Sequence, residues 1–250
     1  MVVHRTDGSI ESIRSIVRDA KPEIVFHMAS LFVAEHKPQD VIALVESNIA
    51  FGAALLEAMS LEGAGRLINT GTSWQHFGGI SYRPANLYAA TKQAFDALVE
   101  YYVDACALST ITLELFDTYG PGDTRRKFLS LLLEAARTQK PLVASEGEQQ
   151  IDLVHIDDVA SAYQAAGDLI VDCASGGVHR RFGVSSGAPV TLRGLAEEVA
   201  HVIGTSVPVI WGGRAYRTRE VMQVPSVNEP LPGWMPRIGL REGIRSLAGD

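Results

Sequence analysis

Two patterns of apolar residues alternate along the chain. In one, the residues recur at helical spacing, and in the other they form short continuous runs typical of strands. The first helical run spans residues 9–20, with Asp7 or Ser9 as its N-cap and Pro22 beyond its end. The next run, "EIVFHMAS", is continuously apolar and bounded by turn residues, which is typical of a strand covered on both faces. A further short strand, "VVH", is predicted at residues 2–4. The chain therefore opens with short strands separated by a helix.

The same alternation continues for most of the chain. Strands are predicted at 66–73 and 109–120, and residues 151–166 predict a strand that runs into a helix capped at Asp157 or Asp158. Further helices are predicted at 41–59 (stopped near Gly63), 86–107, 125–140 and 191–204, the last with Thr191 as its cap. Strands separated by helices in this way predict parallel βαβ units. We therefore expect an α/β fold with a Rossmann-like doubly wound parallel sheet.

The character of the sequence changes after Gly122. Connections become rich in glycine and proline, as in "VPSVNEPLPGWMPRIG", and no internal repeat or low-complexity segment is present. This pattern predicts a first region, 1–122, that carries most of the sheet. A second, mixed region, 123–250, is expected to complete the sheet and to form a smaller lobe.

Composition narrows the function classes. The 250 residues are 46% hydrophobic and 20% charged with a formal net charge of −7, which is typical of a globular protein and lacks the basic stripe of a nucleic-acid-binding one. Two cysteines, Cys106 and Cys173, are interpreted as reduced and mostly buried thiols. The histidines show no zinc-binding spacing, so no metal site is expected. The N-terminus lacks a signal-peptide pattern and no apolar run approaches about 18 residues, so we expect a cytoplasmic protein that does not enter membranes.

Small and polar residues follow three of the predicted strands. They form the segments "HMAS", "NTGTSWQH" and "FDTYGPGD". Ligands of doubly wound sheets bind at the carboxyl ends of the strands. These three segments are therefore the expected walls of a binding site.

The stretch "NLYAATKQAF" places Tyr88 four residues before Lys92. Residues four apart share a helix face, and a nearby ammonium stabilises a phenolate, so the pair could transfer protons near neutral pH. The hydroxyl of Ser73 could bind the same substrate oxygen. The alternative is an exposed helix face with a solvated lysine, since this spacing also arises by chance.

Six motifs in order make the sequence resemble the extended short-chain dehydrogenase/reductase family of NAD-dependent epimerases, dehydratases and reductases. They are "FHMAS", Asn48 in its helix, "INTGTSWQHFG", "NLYAATK", "LFDTYGPGD" and "IDLVHIDDVASAY". Two of them look most like the nucleotide-sugar 4-ketoreductases and epimerases of the CDP-abequose, paratose and tyvelose type. The resemblance implies a nucleotide-sugar substrate and NAD or NADP as cofactor.

The resemblance also implies roles for single residues. Tyr88 would be the general acid/base, Lys92 its modulator and a ribose ligand, and Ser73 the residue that orients the substrate oxygen, with Thr72 as the alternative hydroxyl. Three further residues would line the cofactor together with Tyr88 and Lys92, largely through backbone groups: Ala29, Ser30 and Asn48.

Two positions depart from the family pattern on the substrate side. Asp117 stands where the family usually has an asparagine, and Ile151 replaces an arginine that contacts the nucleotide diphosphate. Four arginines are candidates to replace that contact, although they are also typical of an ordinary surface: Arg125, Arg126, Arg217 and Arg219.

For several aromatic residues and one histidine, two structural interpretations are possible. Trp74 and His76 could line a sugar pocket or fill space over the sheet, and Trp211 and Trp234 could be core anchors or pocket walls. His27 is interpreted as a packed residue rather than a catalyst.

The glycine-rich GxxGxxG loop that holds the dinucleotide pyrophosphate has no match in the sequence. We therefore expect weak cofactor binding by this chain and, through uncovered apolar surface, a homodimer or larger assembly. The main hypothesis is an NAD(P)-dependent nucleotide-sugar reductase or epimerase. The alternatives are a non-catalytic relative that binds a nucleotide sugar or a partner chain, and a scaffolding role.

Overall fold

A computed structural model describes residues 2–172, 176–225 and 229–248. The chain divides into two compact units. Unit 1 comprises Met1–Glu114, Tyr163–Gly183 and Val227–Leu231, and unit 2 comprises Leu115–Ala162, Val184–Ser226 and Pro232–Asp250. The chain leaves unit 1 after Glu114 and returns to it at Tyr163.

Unit 1 is built on a four-stranded sheet in the order β1-β2-β3-β8. Its strands are β1 (Val25–His27), β2 (Arg66–Thr72), β3 (Ser109–Leu115) and β8 (Val178–Val184). β1 pairs with β2 in parallel, with His27 opposite Asn69, so both strands deliver their following residues to the same sheet edge. The non-consecutive strand order confirms the predicted α/β fold.

The helices of unit 1 begin and end where local signals place them. They are α1 (Ile10–Ala20), α2 (Asp40–Val45), α3 (Phe51–Glu62) and α4 (Leu87–Cys106), with a π-helical turn at Glu46–Ala50 between α2 and α3. Ser9 caps α1 by accepting a hydrogen bond from the Ser12 N–H, as predicted, and Gly63 ends α3 in the left-handed conformation that glycine adopts without strain. Apolar side chains of α1, α3 and α4 meet in one buried core with Leu67 of β2 and Phe95 of α4 at its centre.

Unit 2 carries short strands and three helices of its own. The strands are β4 (Asp117–Tyr119), β5 (Leu142–Val143), β6 (Gln150–Ile151), β7 (Leu153–His155), β9 (Val190–Thr191) and β10 (Val209–Ile210). The helices are α5 (Phe128–Thr138), α7 (Leu192–Ile203) and α8 (Leu240–Ala248). They enclose a second core around Leu132, Leu195 and Ile244. Helix α6 (Ile156–Asp172) starts in unit 2 and continues in unit 1.

Four details of the predicted elements are wrong. Residues 2–4 form no strand, and the strand predicted at 109–120 is two strands of different sheets that break at Phe116. Helix α5 starts at Phe128 rather than at residue 125. Cys106 is exposed rather than buried, while Cys173 lies outside the described residues.

The start of α6 also differs from the prediction. Asp157 and Asp158 lie inside its first turn instead of capping it. The Nδ1 of His155 accepts a hydrogen bond from the Asp157 N–H at 3.3 Å, whereas the Asp158 carboxylate accepts from the backbone N–H groups of Arg237 and Ile238, each at 3.0 Å. Asp158 therefore fastens the segment before α8, a contact between residues 79 positions apart that no local signal reveals.

One helical run within the described residues, Asp40–Glu62, is long and apolar enough to cross a membrane by length and composition alone. The expectation that no such run exists is explained by Glu46, Ser47 and Asn48, which interrupt the apolar stretch in the sequence. Core helices of soluble proteins pass the same test, so the finding is weak evidence. Asn48, which is buried and polar, lies at the π-helical turn in the middle of this run.

Candidate active site

Helix α4 brings Tyr88 and Lys92 into the interior of unit 1. Its N-cap is Asn86, whose Oδ1 accepts a hydrogen bond from the Ala89 N–H at 2.9 Å and whose Nδ2 donates to the Ala34 carbonyl. Tyr88 lies in the first turn and Lys92 one turn later, and both side chains are buried. The solvated lysine of the alternative reading is therefore not what the structure shows.

The end of β2 separates the roles of Thr72 and Ser73. Thr72 caps the 3₁₀ turn Ser73–Gln75: its Oγ1 accepts from the Trp74 N–H at 3.3 Å, and the Gln75 side chain accepts from the Thr72 N–H at 2.9 Å. Ser73 is the first residue of that turn and is buried. Because the Thr72 hydroxyl serves the cap, Ser73 is the better candidate for the substrate-orienting hydroxyl.

Asn48 links the segment after β1 to helix α4. Its Oδ1 accepts from the Leu31 N–H at 2.7 Å and from the Ser30 Oγ at 3.2 Å, while its Nδ2 donates to the Leu31 carbonyl and to Thr91 Oγ1. Thr91 Oγ1 in turn donates to the Tyr88 carbonyl at 2.7 Å. The side chain of Asn48 is thus committed to the protein and positions the strand-end segment. Thr91 and Leu31 belong to this link and were not singled out from the sequence.

Three aromatic side chains meet beside the predicted acid/base. Phe32 contacts Tyr88 edge-on, with ring centroids 5.0 Å apart, and Trp74 at 5.8 Å. Trp74 is therefore placed with the predicted site residues, as its pocket-wall reading requires. Phe32 was missed, although its place two residues after "HMAS" is the signal that could have found it. Ala29 and Ser30, just before it, are exposed.

The charge of Lys92 is set by opposing effects. Burial lowers its pKa from 10.5 to about 8, and the negative charge of Asp96 opposes that shift. An ammonium with a pKa near 8 is still largely charged at neutral pH, yet it releases its proton far more readily than a surface lysine. Such perturbed groups concentrate at functional sites.

His27 is a packed, neutral histidine, as its sequence reading proposed. Burial chiefly, with the charge of Lys92, lowers its pKa to about 4, while its hydrogen bond with Asn69 opposes the shift. Its ring contacts Phe51 and Phe95, with centroids 6.1 and 4.9 Å apart. Within the described residues its Nε2 has no hydrogen-bond partner.

His76 is paired rather than directed at a ligand. Its Nε2 lies 2.9 Å from Glu114 Oε2, and both side chains are largely buried beneath the end of β2. This contact favours the reading in which His76 fills space over the sheet.

In unit 2, basic residues surround Asp117. Burial raises the pKa of Asp117 to about 6, and the nearby Asp152 raises it further, while Lys127, Arg217 and Arg125 oppose the shift. Arg125 forms a two-point ion pair with Asp123, at 2.7 and 2.8 Å.

Two further basic residues, Lys127 and Arg126, lie close to Arg125 in the sequence and differ in their contacts. Lys127 donates to the Thr118 carbonyl at 2.5 Å and was not predicted, although its position two residues after Arg125 was a signal. Arg126 instead pairs with Glu134 at an exposed position.

The remaining tryptophans of unit 2 act as anchors. The Arg193 guanidinium lies over the Trp211 ring at 4.8 Å, and Phe128 packs beside that ring. Trp234 donates from its Nε1 to Ser161 Oγ at 2.9 Å. Across the part of the chain that the structure describes, no three acidic, histidine or cysteine side chains are grouped so that they could hold a metal ion.

Comparison with known proteins identifies the family. The model of the NAD dependent epimerase/dehydratase family matches residues 3–171, more than half of the chain. The chain belongs to this family. The matched range contains Ser73, Tyr88 and Lys92, and it ends within α6.

Individual relatives within the family are distant. The chain is 25% identical over 228 residues to a CDP-abequose synthase of Salmonella typhimurium, covering 89% of this chain and 74% of that protein. It is also 25% identical over 248 residues to a UDP-glucose 4-epimerase of Mycolicibacterium smegmatis, covering 93% of this chain and 77% of that protein. The chain thus spans about three quarters of the length of these two relatives.

Solved structures share the fold. The Thermus thermophilus UDP-glucose 4-epimerase, solved with NAD, superposes with a TM-score of 0.80 at 25% identity, covering 97% of this chain and 81% of that one. RMD from Pseudomonas aeruginosa, solved with NADPH, gives a TM-score of 0.81 at 20% identity, covering 100% of this chain and 88% of that one. The Rossmann-like α/β fold is therefore confirmed.

Proposed function

We propose that this member of the family is an NAD(P)-dependent nucleotide-sugar oxidoreductase or epimerase that acts at a 4-keto or 4-hydroxy group of a deoxyhexose. The observation that carries the proposal is the burial of Tyr88 and Lys92 one turn apart on α4, in the same unit as Ser73 at the end of β2. Relatives named as a CDP-abequose synthase and UDP-glucose 4-epimerases support the substrate class.

The described residues fit the nicotinamide end of such a cofactor. Ala29 and Ser30 are exposed after β1, and the hydrogen bonds of Asn48 to Ser30 and Leu31 hold that segment in place. Lys92 supplies an ammonium for a ribose hydroxyl. When bound, the nicotinamide supplies or accepts the hydride at the sugar carbon. The similar structures solved with NAD and with NADPH support a nicotinamide cofactor of either kind.

The residues of this chain handle the proton. Tyr88 gives a proton to the C4 oxygen when a ketone is reduced and takes it back when an alcohol is oxidised. Ser73 donates a hydrogen bond to the same oxygen and keeps it in reach of Tyr88. The charged form of Lys92 stabilises the phenolate that Tyr88 becomes between these steps. Phe32 and Trp74 shield the group from water, which strengthens these electrostatic interactions.

We infer a nucleotide-binding role for unit 2. Arg125, Arg217 and Lys127 lie near Asp117 and bring positive charge suited to a diphosphate. Asp117 opposes them when ionised, so a pKa near 6 makes this position less repulsive to phosphate at mildly acid pH than at neutral pH.

Product analysis with two substrate types tests the proposal. The purified chain is incubated with a 4-keto-6-deoxyhexose nucleotide and NADH or NADPH, and separately with UDP-glucose and NAD. Reduced cofactor consumed in step with a new 4-hydroxy sugar identifies a reductase, whereas UDP-galactose without net change in the cofactor identifies an epimerase. Binding of the nucleotide sugar without turnover of either kind, in protein supplied with saturating cofactor, would instead support the non-catalytic alternative.

A further inference from the structure

Helix α4 carries two more acids in register with the candidate active site. Tyr88, Lys92, Asp96 and Glu100 follow one another at intervals of four residues and therefore share one helix face. The first three are buried, whereas the Glu100 side chain is 44% exposed. An acid thus lies one turn beyond Lys92, on the side away from Tyr88, and it has no place in the reaction described above.

Contacts from two strands hold Asp96 inside unit 1. Arg181 of β8 donates from its Nε to Asp96 Oδ2 at 2.9 Å, and Thr112 of β3 donates from its Oγ1 to Asp96 Oδ1 at 3.3 Å. Leaving a buried carboxylate without partners is costly, and these contacts give Asp96 two partners and fix its position. Because Arg181 is anchored on the sheet, Asp96 is tied to the sheet as well as to its helix.

Arg181 cannot neutralise Asp96 alone, because it is shared with a second acid. Its guanidinium also forms an ion pair with Glu100. The pKa of Glu100 is lowered because Arg181 and His179 outweigh the effect of burial. Two carboxylates therefore face one fixed arginine, and Lys92 is the next cation along the helix face.

His179 does not supply the missing positive charge. Its Nδ1 lies 2.9 Å from Glu100 Oε1 and its Nε2 2.8 Å from Thr112 Oγ1. Burial, joined by Arg181, lowers its pKa although Asp96 and Glu100 oppose the shift. Because the Thr112 hydroxyl donates to Asp96, a neutral His179 donates from its Nε2 to Thr112, and its Nδ1 accepts from the Arg181 guanidinium. His179 therefore adds no positive charge beside Asp96.

Among the described groups, Asp96 is the acid whose negative charge stabilises the charged form of Lys92. On the β1 side His27 interacts with Lys92, but its pKa near 4 keeps it neutral. Asp96 is the group that opposes the loss of the Lys92 proton. Tyr88 lies on the remaining side.

We propose that Asp96, anchored by Arg181, is a positioning residue that keeps the Lys92 ammonium charged beside Tyr88. The inference rests on the proposed function in that Tyr88 must be the acid/base for this charge to matter in turnover. The competing reading is that Asp96 only closes a structural ion pair with Arg181 and leaves Lys92 unaffected.

Direct titration of Lys92 separates the two readings without any need for activity. The chain has five lysines, so ¹⁵N-lysine labelling with detection of Nζ by NMR gives a spectrum simple enough to assign. Three variants are titrated beside the parent chain. Asp96→Asn removes the charge, Arg181→Gln removes the competing cation, and Asp104→Asn is the matched control, an exposed acid on the same helix.

We expect opposite shifts from the first two variants. Asp96→Asn lowers the Lys92 pKa and so increases its acid dissociation constant by roughly tenfold or more, the scale expected for loss of a close opposite charge. Arg181→Gln raises the pKa because it frees the Asp96 charge for Lys92, and Asp104→Asn changes nothing. If Asp96→Asn does not fold, as judged by circular dichroism, the Arg181→Gln result and the conservative Asp96→Glu variant decide the matter.

The pH profile of turnover gives a second readout. Loss of the Lys92 proton ends its support of the phenolate, so in Asp96→Asn the alkaline limb of kcat moves to lower pH, while Asp96→Glu restores it. An unchanged Lys92 pKa in a folded Asp96→Asn variant, or a lowered one in Arg181→Gln, overturns the inference. Absence of turnover in the parent chain would instead count against the proposed function, and the NMR titration would still decide the role of Asp96.

Discussion

At the scale of single residues, the hydroxyls of the neighbours Thr72 and Ser73 have different roles. Thr72 closes a capping box on the 3₁₀ turn after β2, whereas Ser73 is buried at the first position of that turn. A cap contributes to stability, and a substrate-orienting hydroxyl contributes to turnover. The two residues are adjacent, so they can be compared under identical conditions.

Replacing each hydroxyl separately should expose this division. Thr72→Ala loses the cap and should lower the free energy of unfolding by about 1 kcal/mol with a small effect on kcat. Ser73→Ala should lower kcat by about tenfold or more with little loss of stability, since it removes a hydrogen bond to the reacting oxygen. Urea unfolding and steady-state kinetics on both variants check this. A Thr72→Ala variant with the larger loss of kcat would reverse the assignment.

Functional residues that belong to a local sequence motif could be predicted. Residues whose role depends on a partner far away in the sequence could not. Tyr88, Lys92 and Ser73 follow from short local patterns that also fit the family. Asp96 looked like an ordinary helix acid, because its partner Arg181 is 85 residues away. Phe32 and Lys127 were likewise missed, since their contacts rather than a motif define them, although each lies close in sequence to residues that were singled out.

At the scale of elements, α3 and α4 approach closely at one glycine. A Cβ added to Gly52 would lie 2.4 Å from the Phe95 ring, which is itself fully buried in the core of unit 1. The same core contains Leu67 and Val99, so the ring has little room to move. Gly52 therefore sets the spacing between the helix that carries Asn48 and the helix that carries Tyr88.

Gly52→Ala should cost stability through overpacking, by about 1–3 kcal/mol. Gly65→Ala is the matched control, because a Cβ at Gly65 meets nothing within 4 Å. Chemical denaturation of both variants measures the difference. Equal stability of the two would mean that the Phe95 ring moves aside, and the close helix spacing would then not be a constraint.

Element boundaries were predictable where the signal is local. Ser9, Gly63 and Thr191 mark helix ends in the sequence and in the structure, because caps act through residues three or four positions apart. The break at Phe116 between β3 and β4 was not predictable, since it depends on which distant strand each half joins. The π-helical turn at Asn48 was missed for the same reason, because its polar partners are Leu31 and Thr91.

At the scale of the whole molecule, the buried His27 should contribute to a dependence of stability on pH. His27 has an ordinary pKa of 6.5 when unfolded and about 4 in the fold. At pH values between about 4 and 6.5, His27 is protonated in the unfolded chain and neutral in the folded chain. Stability is therefore complete above pH 6.5 and falls as the pH drops towards 4, by up to about 3 kcal/mol.

The comparison of His27→Phe with the parent chain isolates this effect. The variant keeps a ring between Phe51 and Phe95 and removes the titrating group, so its urea midpoint should fall less between pH 7 and pH 4.5. His4→Gln, at an exposed position, serves as the control and should follow the parent curve. Parallel curves for His27→Phe and the parent chain would show that His27 does not govern the acid side.

The assembly and the cofactor affinity of this chain stay predictions at the same scale. Light scattering tests whether it forms a dimer or a larger species, and calorimetry with NADH and NADPH tests whether binding is weak. Micromolar or tighter binding would mean that residues other than those identified hold the pyrophosphate.

The central claim is that Tyr88 moves the proton at the sugar oxygen, and Tyr88→Phe tests it most directly. Tyr101→Phe is the matched control, because Tyr101 lies on the same helix with 63% of its surface exposed. With a 4-keto nucleotide sugar and saturating reduced cofactor, Tyr88→Phe should lower kcat by at least about 100-fold, the scale of general acid catalysis, while Tyr101→Phe keeps the parent rate. Parent-level turnover by Tyr88→Phe would contradict the account.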